Sequence, residues 1–95
     1  MEKESAVEDV LVAGIKKAGG RAYKWISPGN AGVPDRLVVL PYRAPIFVEL
    51  KTEKGRLSPL QKVQIGKLRD LGQEVRVLYG RAGVLKFLRD EAGIL

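Results

Sequence analysis

The sequence lacks two residue types on which many enzyme sites depend. Its 95 residues include no cysteine and no histidine, which excludes disulfides, thiolate chemistry and imidazole as a general acid or base. Zinc sites built from imidazole or thiolate ligands are excluded for the same reason. Any catalytic metal must therefore be held by oxygen ligands, which favours Mg²⁺ or Mn²⁺.

Long apolar runs are also missing. No segment approaches the roughly 20 residues needed to cross a bilayer, and residues 1–9 are acidic, without the apolar centre of a secretory signal. We therefore expect a cytoplasmic protein with no membrane partner. The length predicts one domain over residues 1–95. A chain this short buries a smaller share of its surface than a large one, so forming a homodimer would add stability.

Positive charge is in excess and unevenly placed. Lysine and arginine number 17 against 11 acids, a net charge of +6. Residues 10–69 hold 12 of the bases and only three acids, a local charge of +9, while the two ends together carry −3. A concentrated basic surface is typical of a protein that binds a polyanion, although it can also serve solubility alone.

The spacing of apolar residues predicts an α/β fold of order α-β-β-β-α-β-α, with a four-stranded mixed sheet flanked by helices. Ser58 is a predicted helix N-cap and Pro59 the first helical residue. Gly80 and Gly83 are predicted to flank a turn before the last helix. The predicted helices cover residues 4–18, 59–71 and 84–91, and the strands 21–26, 36–40, 46–51 and 74–79.

Charged residues stand at the ends of the second and third strands. Glu49 and Lys51 share one face of the third strand, because side chains alternate along a strand. If these strands pair as a hairpin, Asp35 lies near Glu49, and two carboxylates can hold a divalent cation that activates water. Lys51 can then orient that water or stabilise charge on a phosphate. The alternative is a cross-strand ion pair on a solvated face.

Three motifs together resemble the VRR-NUC family of the PD-(D/E)XK nuclease superfamily. They are Gly32-Val33-Pro34-Asp35-Arg36, Glu49-Leu50-Lys51 and Gly55-Arg56-Leu57-Ser58-Pro59-Leu60-Gln61. The resemblance implies a restriction-endonuclease-like core and Mg²⁺- or Mn²⁺-dependent cleavage of DNA. Stand-alone minimal members resemble bacterial or phage proteins and Holliday junction resolvases, which act as homodimers.

The resemblance also implies roles for individual residues. Asp35 and Glu49 would be metal ligands, with the Leu50 carbonyl as a third, and Lys51 would be the catalytic lysine. Glu8 would be the active-site acid of the first helix and a further metal ligand. It lies at the border of that helix's apolar stripe, from which it can point along the sheet toward a metal. Glu4, one turn earlier, can serve instead.

Gln61 would be the glutamine of the second helix, beside the active site. It is also the third helical residue after Ser58, where its side chain can complete a capping box. Both roles are compatible, because a residue at a helix start can also face a phosphate.

Other residues near the site are candidates for DNA contact. Lys24, Arg36, Lys54 and Arg56 are the predicted phosphate contacts, although Arg36 can instead pair with an acid. The glycine-rich segment 27–32 can approach the DNA backbone or simply connect two strands.

Two aromatic residues of the first strand can stack on unpaired bases. They are Tyr23 and Trp25, and their alternating spacing indicates that one of them packs in the core.

The leading hypothesis is a metal-dependent DNA endonuclease that selects branched DNA. The alternatives are a DNA-binding module without cleavage and a protein-interaction module. A symmetric homodimer would carry two active sites and could cut paired strands. Candidate interface residues are apolar and C-terminal, although most of them are expected in the core: Val84, Leu85, Leu88, Ile94 and Leu95.

Overall fold

The computed structural model describes residues 2–94 and has the predicted order of elements. The helices are α1 (Glu4–Lys17), α2 (Pro59–Asp70) and α3 (Gly80–Ala92). The strands are β1 (Arg21–Lys24), β2 (Arg36–Val39), β3 (Ile46–Lys51) and β4 (Val75–Tyr79). Within residues 2–94, no helix is long and apolar enough to span a membrane.

The four strands form one mixed sheet in the order β1-β2-β3-β4. The predicted hairpin is confirmed, with β2 antiparallel to β3 and Arg36 opposite Val48. β4 runs parallel to β3, so the chain must cross over between them, and α2 lies in that crossover. The start of β2, the end of β3 and the start of α2 therefore meet at one end of the sheet.

The two faces of β3 carry different side chains. Ile46, Val48 and Leu50 belong to the buried core. Phe47, Glu49 and Lys51 lie on the opposite face by alternation. The core residues of the helices come from α1 (Val7, Leu11 and Ile15) and α3 (Val84, Phe87 and Leu88).

Helix α2 lies on the other side of the sheet, as the hydrogen bond from its Gln61 to Glu49 shows. The predicted mixed sheet flanked by helices is therefore confirmed.

The predicted turn between Gly80 and Gly83 was wrong. Helix α3 begins at Gly80, directly after Tyr79. Gly80 has a φ of 66°, and this left-handed conformation lets the chain pass from strand to helix at a single residue. The other predicted element ends differ by at most two residues, where ends normally fray.

A distant carboxylate stabilises the start of α3. Glu2 accepts hydrogen bonds from the backbone N–H groups of Arg81, at 2.8 Å, and Glu53, at 3.0 Å. These bonds lower the pKa of Glu2. The bond from Arg81 satisfies a donor at the start of α3 that the helix itself leaves unpaired, and the N-cap residue Tyr79 provides no side-chain cap. Glu2 thus joins the N-terminal segment to the loop that follows β3.

The apolar C-terminal residues proposed as an interface are largely internal. Val84 is 0% exposed and Leu88 is 2% exposed, and Ile94 packs against the same core. Leu95 lies outside the described residues. The large exposed apolar side chains are instead Tyr23, Ile26, Tyr42, Leu60, Val63, Leu71 and Tyr79.

At two glycines, adding a methyl group should change the free energy of unfolding in opposite directions. A Cβ at Gly20 would overlap the Val39 carbonyl oxygen, whereas Gly66 in α2 has open space around it. We expect Gly20→Ala to lower the free energy of unfolding by about 1–3 kcal/mol through overpacking. Gly66→Ala should raise it by about 0.5–1 kcal/mol through helix propensity. Urea unfolding of both variants tests this, and equal effects at the two positions would contradict the packing described for Gly20.

Candidate active site

Asp35 is held beside the end of β3 by the backbone. Its carboxylate accepts a hydrogen bond from the Leu50 N–H at 2.9 Å. Its own carbonyl accepts from the Trp25 N–H at 2.9 Å, which extends the pairing of β1 with β2 by one residue. The structure therefore brings Asp35 next to Glu49.

The same bond also orients Leu50. The N–H and C=O groups of a strand residue point toward the same neighbouring strand. Since the Leu50 N–H points toward Asp35, its carbonyl oxygen faces that side as well. The two carboxylates and this carbonyl therefore come from neighbouring segments of chain.

Glu49 is a buried carboxylate with one oxygen satisfied and one not. Its side chain is 1% exposed. Oε2 accepts from the Gln61 amide at 3.2 Å and lies 3.6 Å from the Lys51 Nζ. Oε1 is buried and has no hydrogen-bond partner among residues 2–94. An unpaired buried acceptor is costly, so this oxygen is suited to a ligand that brings positive charge.

The pKa of Glu49 also indicates that this group is suited to a ligand with positive charge. Burial and the neighbouring Asp35 carboxylate raise the pKa of Glu49 to about 8, against the opposing effect of the Lys51 ammonium. Two adjacent carboxylates repel one another when both are ionised. A divalent cation between them would remove that repulsion and favour the ionised form of Glu49. The donor set, two carboxylates and a carbonyl, consists of hard oxygen ligands suited to Mg²⁺ or Mn²⁺.

Gln61 completes the predicted capping box and also contacts Glu49. It forms a capping box with Ser58: the Gln61 N–H donates to Ser58 Oγ at 3.1 Å, and the Ser58 N–H donates to Gln61 Oε1 at 2.9 Å. Its Nε2 donates to Glu49 at 3.2 Å. Because the cap holds the amide oxygen, the amide nitrogen is directed toward the buried carboxylate.

The glycine-rich segment before Asp35 rests on the start of α2. Gly32 has a φ of 89°, and a Cβ there would lie 2.9 Å from the Leu60 carbonyl oxygen and 3.1 Å from the Gln61 nitrogen. The close approach that requires glycine at this position is therefore made to α2. This contact links the segment leading to Asp35 with the helix that carries Gln61.

Glu8 is paired with Arg36. The Arg36 Nε and Nη2 atoms lie 3.1 and 3.0 Å from Glu8 Oε2, and Nη1 donates to the Ala22 carbonyl at 2.9 Å. Arg36 shares the core side of β2 with Val38, whereas Asp35 alternates to the opposite side. Within residues 2–94, no three acidic side chains form a group that could hold a metal. The structure therefore brings Asp35, Glu49, Lys51 and Gln61 together, and it places Glu8 with Arg36 instead.

The remaining candidates for DNA contact divide into exposed and packed side chains. Lys24, Lys54 and Arg56 are exposed. Trp25 packs against Phe47, with ring centroids 4.9 Å apart and an interplanar angle of 53°. Tyr23 is 52% exposed. The aromatic residue that packs is therefore Trp25, and Tyr23 is the one open to a ligand.

One structural contact beside the site has no local signal in the sequence. The Glu2 carboxylate holds the N–H of Glu53, two residues after Lys51. The N-cap residue of α3, Tyr79, provides no side-chain cap, and the carboxylate that bonds the Arg81 N–H lies 79 positions away.

The chain thus combines a mixed sheet with two neighbouring carboxylates, Asp35 and Glu49, and with Lys51 at the end of β3. The family model of the VRR-NUC domain matches residues 2–82, and the chain belongs to this family of nucleases.

Two relatives agree with this assignment. "Putative nuclease p44" of Acyrthosiphon pisum secondary endosymbiont phage 1 is 46% identical over 76 residues, which cover 80% of this chain and 82% of the phage protein. A solved structure described as a VRR_NUC domain superposes with a TM-score of 0.87 at 29% identity, over 96% of this chain and 99% of that chain.

The raised pKa of Glu49 predicts how stability depends on pH in EDTA. Unfolding would return this pKa from about 8 toward 4.5, so the unfolded chain releases the proton first as the pH rises. Ionisation of Glu49 therefore favours unfolding between these two values, and stability should fall as the pH increases through this window. Urea unfolding of the wild type and Glu49→Gln across the window measures the difference.

The fall should be smaller in Glu49→Gln. Glu53→Gln removes an exposed carboxyl group nearby and should keep the wild-type pH dependence. Parallel pH profiles for the wild type and Glu49→Gln would show that Glu49 is already ionised in the folded protein.

Proposed function

We propose that this nuclease is a metal-dependent DNA endonuclease that hydrolyses phosphodiester bonds. The observation that carries the proposal is the Oε1 atom of buried Glu49, which has no hydrogen-bond partner among residues 2–94 and lies beside the Asp35 carboxylate. A buried carboxylate next to a second acid is unfavourable in the folded chain, and the Lys51 ammonium offsets this only in part. A cation bound to the pair would offset the repulsion between the two carboxylates.

Asp35, Glu49 and the Leu50 carbonyl would hold Mg²⁺ or Mn²⁺. When bound, the cation supplies the positive charge that polarises a phosphate and favours ionisation of water. Gln61 keeps the Glu49 carboxylate in place through its hydrogen bond to Oε2. Glu8 would join this group only if its pairing with Arg36 opened, and its role as a metal ligand remains a prediction.

Lys51 is proposed as the catalytic lysine. Its Nζ lies 3.6 Å from Glu49 Oε2, and its side chain is 14% exposed. It can therefore reach both the carboxylate and a phosphate placed at the surface of the site. There it would stabilise negative charge that develops on the phosphate oxygens and orient the attacking water.

The substrate is proposed to be branched DNA of the Holliday junction type. Exposed Lys24, Lys54 and Arg56 would contact phosphates on either side of the scissile bond. A two-fold homodimer would place two active sites on one junction.

The proposed chemistry predicts metal-dependent cleavage that is lost on substitution of the site. Labelled four-way-junction, flap and linear duplex DNA would be incubated with Mg²⁺, Mn²⁺ or EDTA. We expect the wild type to cut branched DNA fastest with either metal and not in EDTA. Asp35→Ala should abolish cleavage, and Lys51→Ala should slow it by about 10²- to 10³-fold, because it removes charge stabilisation.

Lys86→Ala is the matched control for Lys51→Ala, since it removes a lysine that pairs with Asp90 on the exposed side of α3. It should cut at the wild-type rate. Calorimetric titration with Mn²⁺ gives a second readout that does not depend on cleavage: wild-type binding should be lost in Asp35→Ala. DNA binding without cutting under every metal condition would instead support a binding module.

The proposed homodimer predicts a sedimentation equilibrium mass of two chains. The same measurement with a four-way junction should give one dimer per junction. A mass of one chain in both conditions would contradict the paired-site proposal and favour a nicking enzyme.

A further inference from the structure

A basic surface separate from the active site lies on the side of the molecule formed by α1 and β1. A groove of about 440 Å³ runs between the second half of α1, the turn that follows it and β1. The residues that line it include the bases Lys16 and Arg21, together with Val12, Ala22 and Tyr23. None of the residues Asp35, Glu49, Lys51 and Gln61 lines it.

The charge of this surface is not neutralised by neighbouring acids. From residue 16 to residue 24 the sequence contains four bases and no acid. All four are exposed, and none takes part in the ion pairs found among residues 2–94. These bases are Lys16, Lys17, Arg21 and Lys24.

Other bases of the chain are used differently. Arg43 pairs with Glu74 at 2.6 Å and with Glu91 at 2.7 Å. Arg76 lies 3.5 Å from the same two carboxylates. The charges of Arg43 and Arg76 are therefore balanced by nearby acids, whereas the charge along the groove is available to a polyanion.

The groove is suited to a single strand because it combines charge with an open aromatic ring. Tyr23 is 52% exposed, and every nucleic acid base has a face that can stack on such a ring. A duplex keeps its bases stacked inside and presents mainly phosphates to a surface of this kind. Val12 and Ala22 add apolar surface that favours bases over phosphates.

The path of β1 connects the groove to the active site. Lys24 is opposite Arg36, and the next residue, Trp25, bonds to the Asp35 carbonyl. Arg21 is opposite Val39, at the other end of the strand. Three residues of extended chain span about 10 Å, so the basic residues follow the outer edge of the sheet away from Asp35.

We propose that this groove binds an unpaired DNA strand next to the scissile site, with Tyr23 stacking on a base and Lys16 and Arg21 contacting phosphates. The inference rests on the proposed nuclease function and gives it a physical basis for selecting DNA with unpaired strands. A strand that leaves a branch point at Asp35 would follow β1 into the groove.

The test is a binding measurement on the full chain carrying Glu49→Gln in EDTA, so that cleavage does not interfere. Fluorescence anisotropy would follow a labelled oligothymidine and a labelled duplex over a range of salt concentrations. Lys16→Ala with Arg21→Ala should weaken oligothymidine binding about tenfold and reduce the salt slope by about 1.4, since each single-strand phosphate contact contributes about 0.7. Tyr23→Ala should weaken it about tenfold, and Tyr23→Phe should retain affinity.

Lys86→Ala with Arg89→Ala is the matched control, because it removes the same charge from exposed positions of α3. Thermal unfolding would verify that all variants are folded. If the Lys16 and Arg21 variant binds like this control, the groove proposal is overturned, and the bases serve only to keep an edge strand from pairing with other chains. Equal losses for duplex and oligothymidine would overturn the assignment to a single strand.

The groove and the active site can fail independently. Metal-dependent cleavage without any effect of the groove variants would leave the proposed nuclease function standing and remove this inference. Groove-dependent binding of oligothymidine without cleavage under any metal condition would support the groove as a binding site and contradict the proposed nuclease function.

Discussion

The carboxylate of Glu49, buried at the end of a central strand, is the constraint on which the rest of the site depends. A charge removed from water is costly unless hydrogen bonds and opposite charges surround it. Here the Gln61 amide and the Lys51 ammonium serve one oxygen, while the other is unpaired among the described residues. The burial of Glu49 thus lowers the stability of the folded chain, and the proposed cation would offset this cost.

Several contacts that are distant in sequence position the Glu49 and Asp35 carboxylates. The capping box of α2 fixes Gln61, and the close packing of Gly32 on Leu60 holds the segment before Asp35 against the same helix. The bond from Leu50 to Asp35 holds the second acid in place. Rigid positioning of this kind is what a metal site requires, because ligand geometry determines how strongly the ion is held.

The alternation of β3 allows a small domain to hold both a core and a reactive site. Val48 and Leu50 pack against α1 and α3 on one face of the sheet. Glu49 and Lys51, which alternate with them along the strand, lie on the other face, where α2 is found. Much of the fold was predictable because this alternation, and the helical spacing of Val7, Leu11 and Ile15, are local patterns. The start of α3 was mispredicted because a left-handed Gly80 and the distant Glu2 replace the expected turn.

The sequence by itself determined the order of elements and the family, because periodicity, caps and motif spacing are written in neighbouring positions. It also supplied the candidate site residues, whose roles in the reaction stay predictions. Only the tertiary structure decided which of these residues meet. It separated Glu8, which is paired with Arg36, from the Asp35 and Glu49 pair, and it showed that Trp25 packs while Tyr23 stays open. These outcomes depend on which strand faces and helices come together, and a local pattern does not carry that information.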